Sequence, residues 1–272
     1  MRVTAIIPTC RRPLLLERAL RSIAAQKQPP TEVIVVDDAG GRYLNTTRRT
    51  VEQCGLKRVC VVANTHAKGA SGARNTGAAL GRGELLAFLD DDDEWLPFYL
   101  DKALAQFDSR GLDMVCTDLV YRFDDGSERP GKKAPQRLVP ELFLTRNPGL
   151  IGSNFILRRA LYRKLGGFDE SLLTLEDMDF GIRLSLRSEV RYRRLRGRLV
   201  RHHQHAGPRL CTPQAKAMRA GVRRFYSLYA PRMTEVQREE FRTSVRRLWG
   251  IDERGRVLNP LQRGQTPVGF QP

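Results

Sequence analysis

Four consecutive aspartates, Asp90 to Asp93, are the residues whose types and spacing most directly suggest chemistry. They follow the apolar run Leu85 to Leu89, which has the composition of a buried strand. A packed core cannot hold so many carboxylates unless cations neutralise them, so we expect the strand to deliver them to a site. Because Mg²⁺ and Mn²⁺ take carboxylate and phosphate oxygens as ligands, the run predicts a platform for a metal ion and a diphosphate. An acidic turn that merely ends the strand is the alternative.

A second pair of carboxylates, Glu176 and Asp177, lies at the start of a predicted helix from Leu175 to Arg187. Such a helix start can present one carboxylate to a cleft as a general base. The alternative is capping, because Thr174 and Asp177 have the spacing of residues that bond to the first turn of a helix. Both roles are compatible, since neighbouring side chains leave a helix in different directions.

Three of the four histidines, His202, His203 and His205, form a cluster in a strongly basic stretch from Arg183 to Arg209. Clustered imidazoles suggest a metal or phosphate site. Their spacing is not a recognised zinc pattern, however, and a solvated basic loop is the alternative.

A glycine-rich stretch from His66 to Gly77 leads into another predicted helix. Backbone amides at such a helix start attract phosphate, and Lys68 and Arg74 add positive charge. The stretch matches neither the P-loop spacing nor the dinucleotide-binding pattern of glycines. A tight turn that needs glycine for its backbone conformation explains the same residues equally well.

Apolar stretches alternate with amphipathic ones along the chain, which predicts an α/β fold with a mostly parallel central sheet flanked by helices. The predicted strands are Val3 to Ile7, Glu32 to Val36, Arg58 to Ala63, Leu85 to Leu89, Met114 to Tyr121 and Gly152 to Leu157. Ligands bind beyond the carboxyl ends of the strands in such sheets. One rim is therefore expected to be lined by the loops that start at Thr9, Asp37, Asn64 and Asp90.

Two amphipathic helices are predicted towards the C-terminus, one from Thr212 and the other from Thr234, which opens a capping box. Their apolar stripes are expected to pack inward and consist of Met218, Val222, Phe225, Tyr229, Phe241, Val245 and Leu248. Arginines occupy the opposite faces. Periodicity disappears beyond Asp252, so the end of the chain is predicted to be flexible or draped over the domain.

The 272 residues carry 47 Lys and Arg against 30 Asp and Glu, a formal charge of +17. This charge implies attraction to polyanions, such as nucleic acid, an anionic membrane surface or phosphorylated substrates. Five scattered cysteines without a C-x-x-C pair suggest neither a disulfide framework nor a zinc site, and the reducing cytoplasm is the simplest setting. No apolar run approaches the roughly 20 residues of a membrane-spanning helix, so any membrane contact is expected to be peripheral.

Taken in order, the motifs resemble those of family 2 glycosyltransferases with the GT-A fold, from about Val3 to His205. The matching segments are Ile6-Ile7-Pro8-Thr9, Val35-Val36-Asp37-Asp38, Gly72-Ala73-Arg74-Asn75-Thr76-Gly77, Gly83-Glu84, Phe88-Leu89 with the four aspartates, Gly166-Gly167-Phe168-Asp169-Glu170 and Glu176-Asp177-Met178-Asp179. The resemblance implies a Rossmann-like catalytic domain over residues 1–210, a basic helical extension over 211–251 and a tail over 252–272.

On the donor side, the resemblance implies that Thr9 and Asp38, beside Pro8, hold the nucleotide base. Asp38 would accept a hydrogen bond from an imide N–H such as that of uracil. Arg74 resembles the basic residue near the base and diphosphate. The implied donor is a nucleoside-diphosphate sugar, with UDP as the expected nucleotide.

Within the aspartate run, the resemblance assigns Asp90 and Asp91 to the nucleotide sugar and Asp92 to direct contact with Mn²⁺ or Mg²⁺. His205 resembles a C-terminal metal or phosphate ligand, with His202 and His203 as neighbours that leave the register open. Asp93 is expected to face solvent, and so is Asp91 if it does not contact the donor.

On the acceptor side, Asp177 resembles the catalytic base, with Glu176 as the alternative, and Trp95 and Gly152 resemble residues that line the acceptor. The implied reaction is inverting transfer to a hydroxyl of a carbohydrate or glycolipid, in the synthesis of bacterial surface polysaccharide or glycolipid. Peripheral contact with the inner face of an anionic cytoplasmic membrane would fit the basic helices.

Two departures from the family pattern flank the expected nucleotide pocket. Cys10-Arg11-Arg12 stands where Tyr-Asn-Arg is usual, and Ala39-Gly40 stands where Gly-Ser is usual. Both departures affect the identity of the donor more than the type of reaction.

Three other functions share some of these features. A sugar nucleotidyltransferase would have the same alternating fold, but its glycine-rich loop is missing after Ile6-Ile7-Pro8. Nucleic-acid binding would fit the charge, yet few aromatic residues lie between the arginines and four adjacent aspartates would repel phosphate, so nucleic acid is not an expected partner. A catalytically silent relative that binds sugar nucleotides would carry the same motifs.

Overall fold

The computed structural model describes residues 1–204 and 216–258, apart from the side chains of residues 109 and 110. The strands are β1 (Val3–Thr9), β2 (Glu32–Asp37), β3 (Val59–Ala63), β4 (Leu85–Phe88), β5 (Asp93–Trp95), β6 (Met114–Phe123), β7 (Glu128–Pro130), β8 (Phe155–Arg158) and β9 (Tyr192–Gln204). The helices are α1 (Pro13–Ala24), α2 (Leu44–Gln53), α3 (Ala70–Leu80), α4 (Tyr99–Arg110), α5 (Pro140–Thr145), α6 (Arg159–Lys164), α7 (Glu176–Ser185), α8 (Lys216–Tyr229) and α9 (Glu235–Trp249). This element order confirms the predicted α/β class.

The strands form one sheet in the order β3-β2-β1-β4-β8-β6-β9-β5, with β7 paired to β6. Strands β1 to β4 are parallel to their neighbours among themselves. Strand β8 is antiparallel to both β4 and β6, and β9 runs parallel to β6. The carboxyl ends of β1, β2, β3 and β4 therefore open on one edge, as predicted.

Apolar side chains cover both faces of this sheet, because successive residues of a strand point to opposite sides. Ile6 and Val36 belong to one buried cluster, whereas Ile7 and Val35 belong to the other. The first cluster also contains the inward residues of α7, α8 and α9, and the second contains those of α1 and α4. Strands that are apolar throughout follow from burial on both faces.

The C-terminal helices share the first cluster with the sheet. Their inward residues Met218, Val222, Phe225, Tyr229, Phe241 and Val245 are buried as predicted. Leu248 is 44% exposed, so the prediction that it packs inward is wrong. The capping box at Thr234 is confirmed by its hydrogen bonds with Gln237. The helix start predicted at Thr212 lies outside the described residues.

Two local features add detail that the predicted strands did not contain. Gly152–Asn154 is a 3₁₀ turn, and the strand predicted from Gly152 begins only at Phe155. The Asn154 backbone N–H donates to the Ile151 carbonyl at 3.1 Å and closes this turn, while the Asn154 side-chain amide holds it in place through the carbonyls of Thr117 and Gly149. The polar segment after β6 turns back and forms an antiparallel hairpin with β7.

The beginning of the predicted tail is folded. Ile251 pairs with Val257 in an antiparallel bridge, and the Asp252 carboxylate accepts hydrogen bonds from the amides of Arg254 and Arg256. The rest of that tail lies outside the described residues. None of the helices described is both long and apolar enough to cross a lipid bilayer.

Candidate active site

The aspartate run lies at the rim, between β4 and β5. Asp91 and Asp93 are buried, whereas Asp90 and Asp92 are half-buried. The prediction that Asp91 and Asp93 face solvent is therefore wrong. Their side chains turn inward because each has polar partners there, contributed by segments that are distant in sequence.

Asp91 connects the run to the end of β1. Its Oδ2 accepts a hydrogen bond from Thr9 Oγ1 at 2.8 Å, and its Oδ1 lies 3.1 Å from Arg12 Nη1. Burial raises the pKa of Asp91 to about 7, and repulsion from neighbouring aspartates adds to the rise, while Arg12 and Thr9 oppose it. The Thr9 hydroxyl and the Asp91 carboxylate are thus engaged with each other. The predicted direct contacts of these two side chains with the nucleotide sugar are not supported by this arrangement.

Asp93 connects the run to β8 and β9. It accepts a hydrogen bond from Ser153 Oγ at 2.6 Å and lies 2.9 Å from His202 Nδ1. Although burial pushes the pKa of Asp93 upward, His202 and Ser153 bring it below its usual value. His203 pairs with Glu94 in the same way. These two histidines lie in β9, so the alternative of a solvated loop is wrong for them, and His205 lies outside the described residues.

Asp92 is the aspartate best placed to meet a metal ion. Its carboxylate is half-buried, with Oδ2 3.2 Å from Arg12 Nη1, and its backbone carbonyl accepts from Arg18 Nη2 at 2.7 Å. Burial raises the pKa of the adjacent Asp90, and repulsion from Asp93 and Asp92 raises it further against the opposing effect of Arg74. This excess of carboxylate charge fits a hard divalent cation. Within the described ranges no three His, Cys, Asp or Glu side chains already converge on one point, so bound diphosphate oxygens would have to complete the coordination.

Arg74, in α3, is the central cation of the site. Its guanidinium donates to Asp90 Oδ1 at 2.6 Å through Nη2 and to Glu176 Oε1 at 2.9 Å through Nη1. The guanidinium carbon lies 5.0 Å from the centre of the Phe168 ring. Arg74 is only 2% exposed, so the prediction that it touches the base or diphosphate is corrected. It instead holds the aspartate run and the second acidic pair together.

Glu176 and Asp177 occupy the first two positions of α7 and have different surroundings. Glu176 is committed to the ion pair with Arg74, whereas Asp177 Oδ1 is inaccessible to solvent and has no hydrogen-bond partner among the described residues. Burial raises the pKa of Asp177 well above its usual value, and repulsion from Glu176 and Asp90 adds to the rise, although Arg74 and the Gly152 backbone oppose it. A buried carboxylate that has an unsatisfied oxygen and a raised pKa is typical of functional sites.

Capping does not explain this acidic pair. The residue that caps α7 is Leu175, in the left-handed conformation with φ 65°, and it makes no side-chain cap. Thr174 instead directs its hydroxyl at Met218 Sδ, 3.7 Å away in α8. The predicted capping role of Thr174 and Asp177 is therefore wrong, and the environment of Asp177 requires another explanation.

Gly152 and Trp95 support the site from within. Any Cβ at position 152 would lie 2.7 Å from Arg74 Nη2, so a larger residue would displace the central guanidinium. Trp95 is 1% exposed and donates from its ring nitrogen to the Ser153 carbonyl at 2.9 Å. Trp95 is thus a core residue, and its predicted contact with an acceptor is corrected to support of the Gly152 turn.

Asp38 lines a separate basic cleft of about 380 Å³ on the same rim. The cleft is lined by Arg11, Asp38, Ala39, Gly40, Arg42, Asn64, His66 and Lys68. The Asp38 carboxylate accepts from Asn64 Nδ2 at 2.7 Å and from the Gly69 amide at 3.0 Å. Pro8 is buried within β1 beside Val36 and does not reach the cleft surface. A half-buried carboxylate among cations suits the base and the phosphates of a nucleotide.

Two backbone amides of the glycine-rich loop are already bound to carboxylates of the protein. The Gly69 amide binds Asp38, and the Ala67 amide donates to Glu170 Oε2 at 2.9 Å. Asn75 of α3 also donates to Glu170, at 2.7 Å. These contacts favour the tight-turn explanation over a phosphate loop.

Three residues position the site although the sequence patterns assigned them no site role. Ser153 bridges the Asp93 carboxylate and the Asp90 backbone amide, and Asn64 orients the Asp38 carboxylate. The Phe168 ring packs against the Arg74 guanidinium. The signals in the sequence were that Ser153 follows Gly152, that Asn64 starts a predicted rim loop and that Phe168 lies within a matched segment.

The sequence matches a known protein family and several individual relatives. Residues 4–166, more than half of the chain, match the model of glycosyl transferase family 2. A glycosyltransferase of Haemophilus influenzae is 30% identical over 193 residues, which cover 67% of this chain and 61% of the relative. The UDP-Glc:alpha-D-GlcNAc-diphosphoundecaprenol beta-1,3-glucosyltransferase WfgD of Escherichia coli is 28% identical, over 58% of this chain and 61% of the relative.

The fold also matches a solved structure. S. aureus TarS 1-349 in complex with UDP-GlcNAc superposes with a TM-score of 0.64 at 22% identity, over 89% of this chain and 71% of the TarS chain. This likeness confirms the predicted GT-A fold. By the match of its motifs, its fold and the family model, the chain belongs to glycosyl transferase family 2.

Proposed function

We propose that this protein transfers a sugar from a nucleoside-diphosphate sugar to an acceptor hydroxyl, with inversion at the sugar carbon. The observation that carries the proposal is the buried bridge of Arg74, which binds Asp90 at the end of β4 and Glu176 at the start of α7. The aspartate run, which could hold a metal ion, therefore lies close to Asp177, the carboxylate suited to act as a general base. Family membership supports the class of reaction.

The donor that best fits the cleft at Asp38 is a UDP-sugar. A carboxylate can accept from the imide N–H of uracil, and Arg11, Arg42 and Lys68 add positive charge for phosphates. The name of the E. coli relative gives UDP-Glc as its donor, and the TarS structure contains UDP-GlcNAc. Both support the same nucleotide here.

Asp177 is the residue we assign as general base, in preference to Glu176. A base must accept a proton from the attacking hydroxyl, and Glu176 is already neutralised by Arg74 at 2.9 Å. Asp177 has an unpaired oxygen and a raised pKa, caused by burial and by its acidic neighbours. Attack from the face opposite the leaving nucleotide would invert the sugar carbon.

Negative charge develops on the leaving diphosphate during transfer, so the site needs cations near it. Mn²⁺ or Mg²⁺, when held by Asp92 with Asp90 beside it, would supply this charge stabilisation. Arg12, which lies against Asp91 and Asp92, keeps the run from accumulating uncompensated charge before the donor binds.

The proposal is tested by incubating the protein with a panel of UDP-, GDP-, dTDP- and CMP-sugars and measuring release of the nucleotide. We expect release from a UDP-sugar, faster when an acceptor is present. Binding of sugar nucleotides without release would support a silent relative instead. Formation of a sugar nucleotide from a sugar phosphate and a nucleoside triphosphate would support a nucleotidyltransferase.

Removal of divalent ions is expected to weaken UDP binding by about tenfold or more, since the diphosphate would then meet only the carboxylates of the aspartate run. Calorimetric titration of UDP with Mn²⁺, with Mg²⁺ and with excess chelator measures this effect. Uridine, which lacks the diphosphate, serves as the control and should bind equally in all three. Undiminished UDP binding in chelator would contradict the role assigned to the metal.

The acceptor and cellular setting that we propose are a lipid-linked sugar at the cytoplasmic face of a bacterial membrane, in cell-envelope polysaccharide synthesis. The E. coli relative is named for an acceptor carried on diphosphoundecaprenol, which supports this choice. Helix α9 carries exposed Arg246 and Arg247, and Val236 is 69% exposed on the same helix. A cationic surface with exposed apolar side chains suits peripheral contact with anionic lipid.

Flotation with liposomes tests this membrane contact. We expect recovery with vesicles that contain anionic lipid and little with neutral ones, because surface-bound basic residues follow the lipid charge. Reversing Arg246 and Arg247 to Glu should reduce recovery more than reversing the exposed pair Arg48 and Arg49 of α2. Equal recovery with anionic and neutral vesicles would remove the proposal.

A further inference from the structure

Helix α8 lies against the segment that leads into the start of α7, and its contacts repeat along one face. Gly221 approaches Thr174 so closely that an added Cβ would lie 2.2 Å from Thr174 Oγ1 and 2.8 Å from both its backbone nitrogen and its carbonyl oxygen. The backbone of α8 at Gly221 is therefore in direct contact with the backbone of Thr174. Only glycine permits this approach.

Two further hydrogen bonds attach α8 to the chain before and after Thr174. Arg224 Nε donates to Ser171 Oγ at 3.1 Å, upstream of Thr174. Tyr229 donates to Asp179 Oδ1 at 2.6 Å, inside α7, and Asp179 is buried. Helix α8 thus holds the chain both before and after Asp177.

The residue between these attachments is in an unfavourable conformation. Leu175 has φ 65° and ψ 14°, a left-handed backbone that a leucine adopts only when its surroundings impose it. Asp177 follows two residues later and makes no compensating cap. Its direction therefore depends on the contacts that fix Thr174 and Asp179.

We propose that α8 is the positioning element for the catalytic base, and that Gly221 is the residue that sets the position. This inference rests on the proposed function for its kinetic consequence, but its geometric part does not. A wider residue at position 221 would push Thr174 away and let Leu175 relax, which would turn Asp177 away from the acceptor hydroxyl. The residues at the donor side are separate from this contact.

The test compares Gly221→Ala with Ser227→Ala, an exposed position of the same helix. Alanine is a better helix former than glycine, so α8 itself should remain folded in both variants. We expect Gly221→Ala to lower kcat by about tenfold to a hundredfold with little change in the KM for the donor, because misplacement of a base by about 1 Å has an effect of that size. Ser227→Ala should match the wild type.

A second measurement does not depend on activity. Hydrogen exchange of the peptide covering residues 171–179 should be faster in Gly221→Ala, and exchange at the aspartate run should be unchanged. Folded Gly221→Ala with wild-type kcat and wild-type exchange would overturn the proposal. Wild-type protein that releases no nucleotide from any donor would instead overturn the proposed function, while the exchange result would still decide the positioning role.

Tyr229→Phe provides the answer should Gly221→Ala fail to fold. It removes only the hydroxyl that binds Asp179 and leaves the ring packed 4.8 Å from that of Phe225. We expect a smaller loss of kcat than in Gly221→Ala, again with an unchanged donor KM and faster exchange in residues 171–179. Wild-type turnover and exchange in this variant would overturn the proposal.

Discussion

The Asp177→Asn variant is expected to lose about a thousandfold in kcat while it binds UDP as tightly as the wild type. Asparagine has the same shape but cannot accept the proton of the attacking hydroxyl. The cleft at Asp38 and the aspartate run, which we assign to the donor, are left unchanged. Steady-state kinetics and calorimetric titration of UDP measure the two effects separately, and equal loss of binding and turnover would show that Asp177 has a structural role instead.

The same substitution is expected to change stability in a pH-dependent way. Burial and the neighbouring carboxylates raise the pKa of Asp177 above that of an unfolded aspartate, so the folded protein binds this proton more tightly than the unfolded chain does. The resulting stabilisation is present below the unfolded pKa of about 4 and is lost as pH rises through the folded pKa. Asp177→Asn should therefore have the higher melting temperature at alkaline pH. Scans across pH without donor or metal would test this, and a variant less stable than wild type at high pH would contradict it.

Glu176→Gln is the matched control for the assignment of the base. It also removes one carboxylate from the first turn of α7, but at the position that is paired with Arg74. We expect a much smaller loss of kcat than in Asp177→Asn. The reverse order of effects would assign the base to Glu176, the alternative drawn from the sequence.

The positions of the strands could be predicted because the information is local. Strands buried on both faces must be apolar throughout, and β1, β2 and β4 follow that pattern almost to the residue. The location of the binding rim could be predicted from the parallel arrangement of the strands alone. The predicted rim loops at Asp37 and Asp90 accordingly lie on the edge that carries the site.

The direction of individual side chains could not be predicted in the same way. In extended chain a shift of one position reverses which residues face inward, and the sequence of four identical aspartates contains no signal to choose. The choice is made by Thr9 and Arg12 for Asp91, and by Ser153 and His202 for Asp93. These partners come from three separate segments, so only the folded chain defines the roles of the aspartates.

Arg74 shows the same limit for a cation. Its place in a glycine-rich segment suggested contact with phosphate, since sequence spacing alone does not reveal burial. In the structure its guanidinium is enclosed by Asp90, Glu176, the Phe168 ring and the Gly152 backbone. The enclosure makes Arg74 the residue on which both acidic motifs depend.

Arg74→Met is expected to lower the free energy of unfolding by about 3 to 5 kcal/mol and to abolish turnover. Methionine keeps much of the apolar stem but removes the charge, which leaves the carboxylates of Asp90 and Glu176 close together without a counterion. Denaturant unfolding measures the loss of stability. Arg74→Lys should lie between Met and wild type, because one ammonium group cannot reproduce the planar guanidinium that donates to two carboxylates.

Arg194→Met provides the control that separates stability from catalysis. Arg194 forms a largely buried pair with Asp118, at 2.8 Å through each of two nitrogens. Its removal should also destabilise the fold, yet leave kcat close to wild type at temperatures where the variant is folded.

A double variant then tests why Arg74 matters. If the loss in Arg74→Met comes from uncompensated charge, adding Glu176→Gln should restore part of the stability, since one of the two orphaned carboxylates becomes neutral. Turnover should stay low, because Asp90 and Asp177 still repel each other without the central cation. Stability that falls further in the double variant would show that packing around the guanidinium, and not its charge, holds the two acidic motifs together.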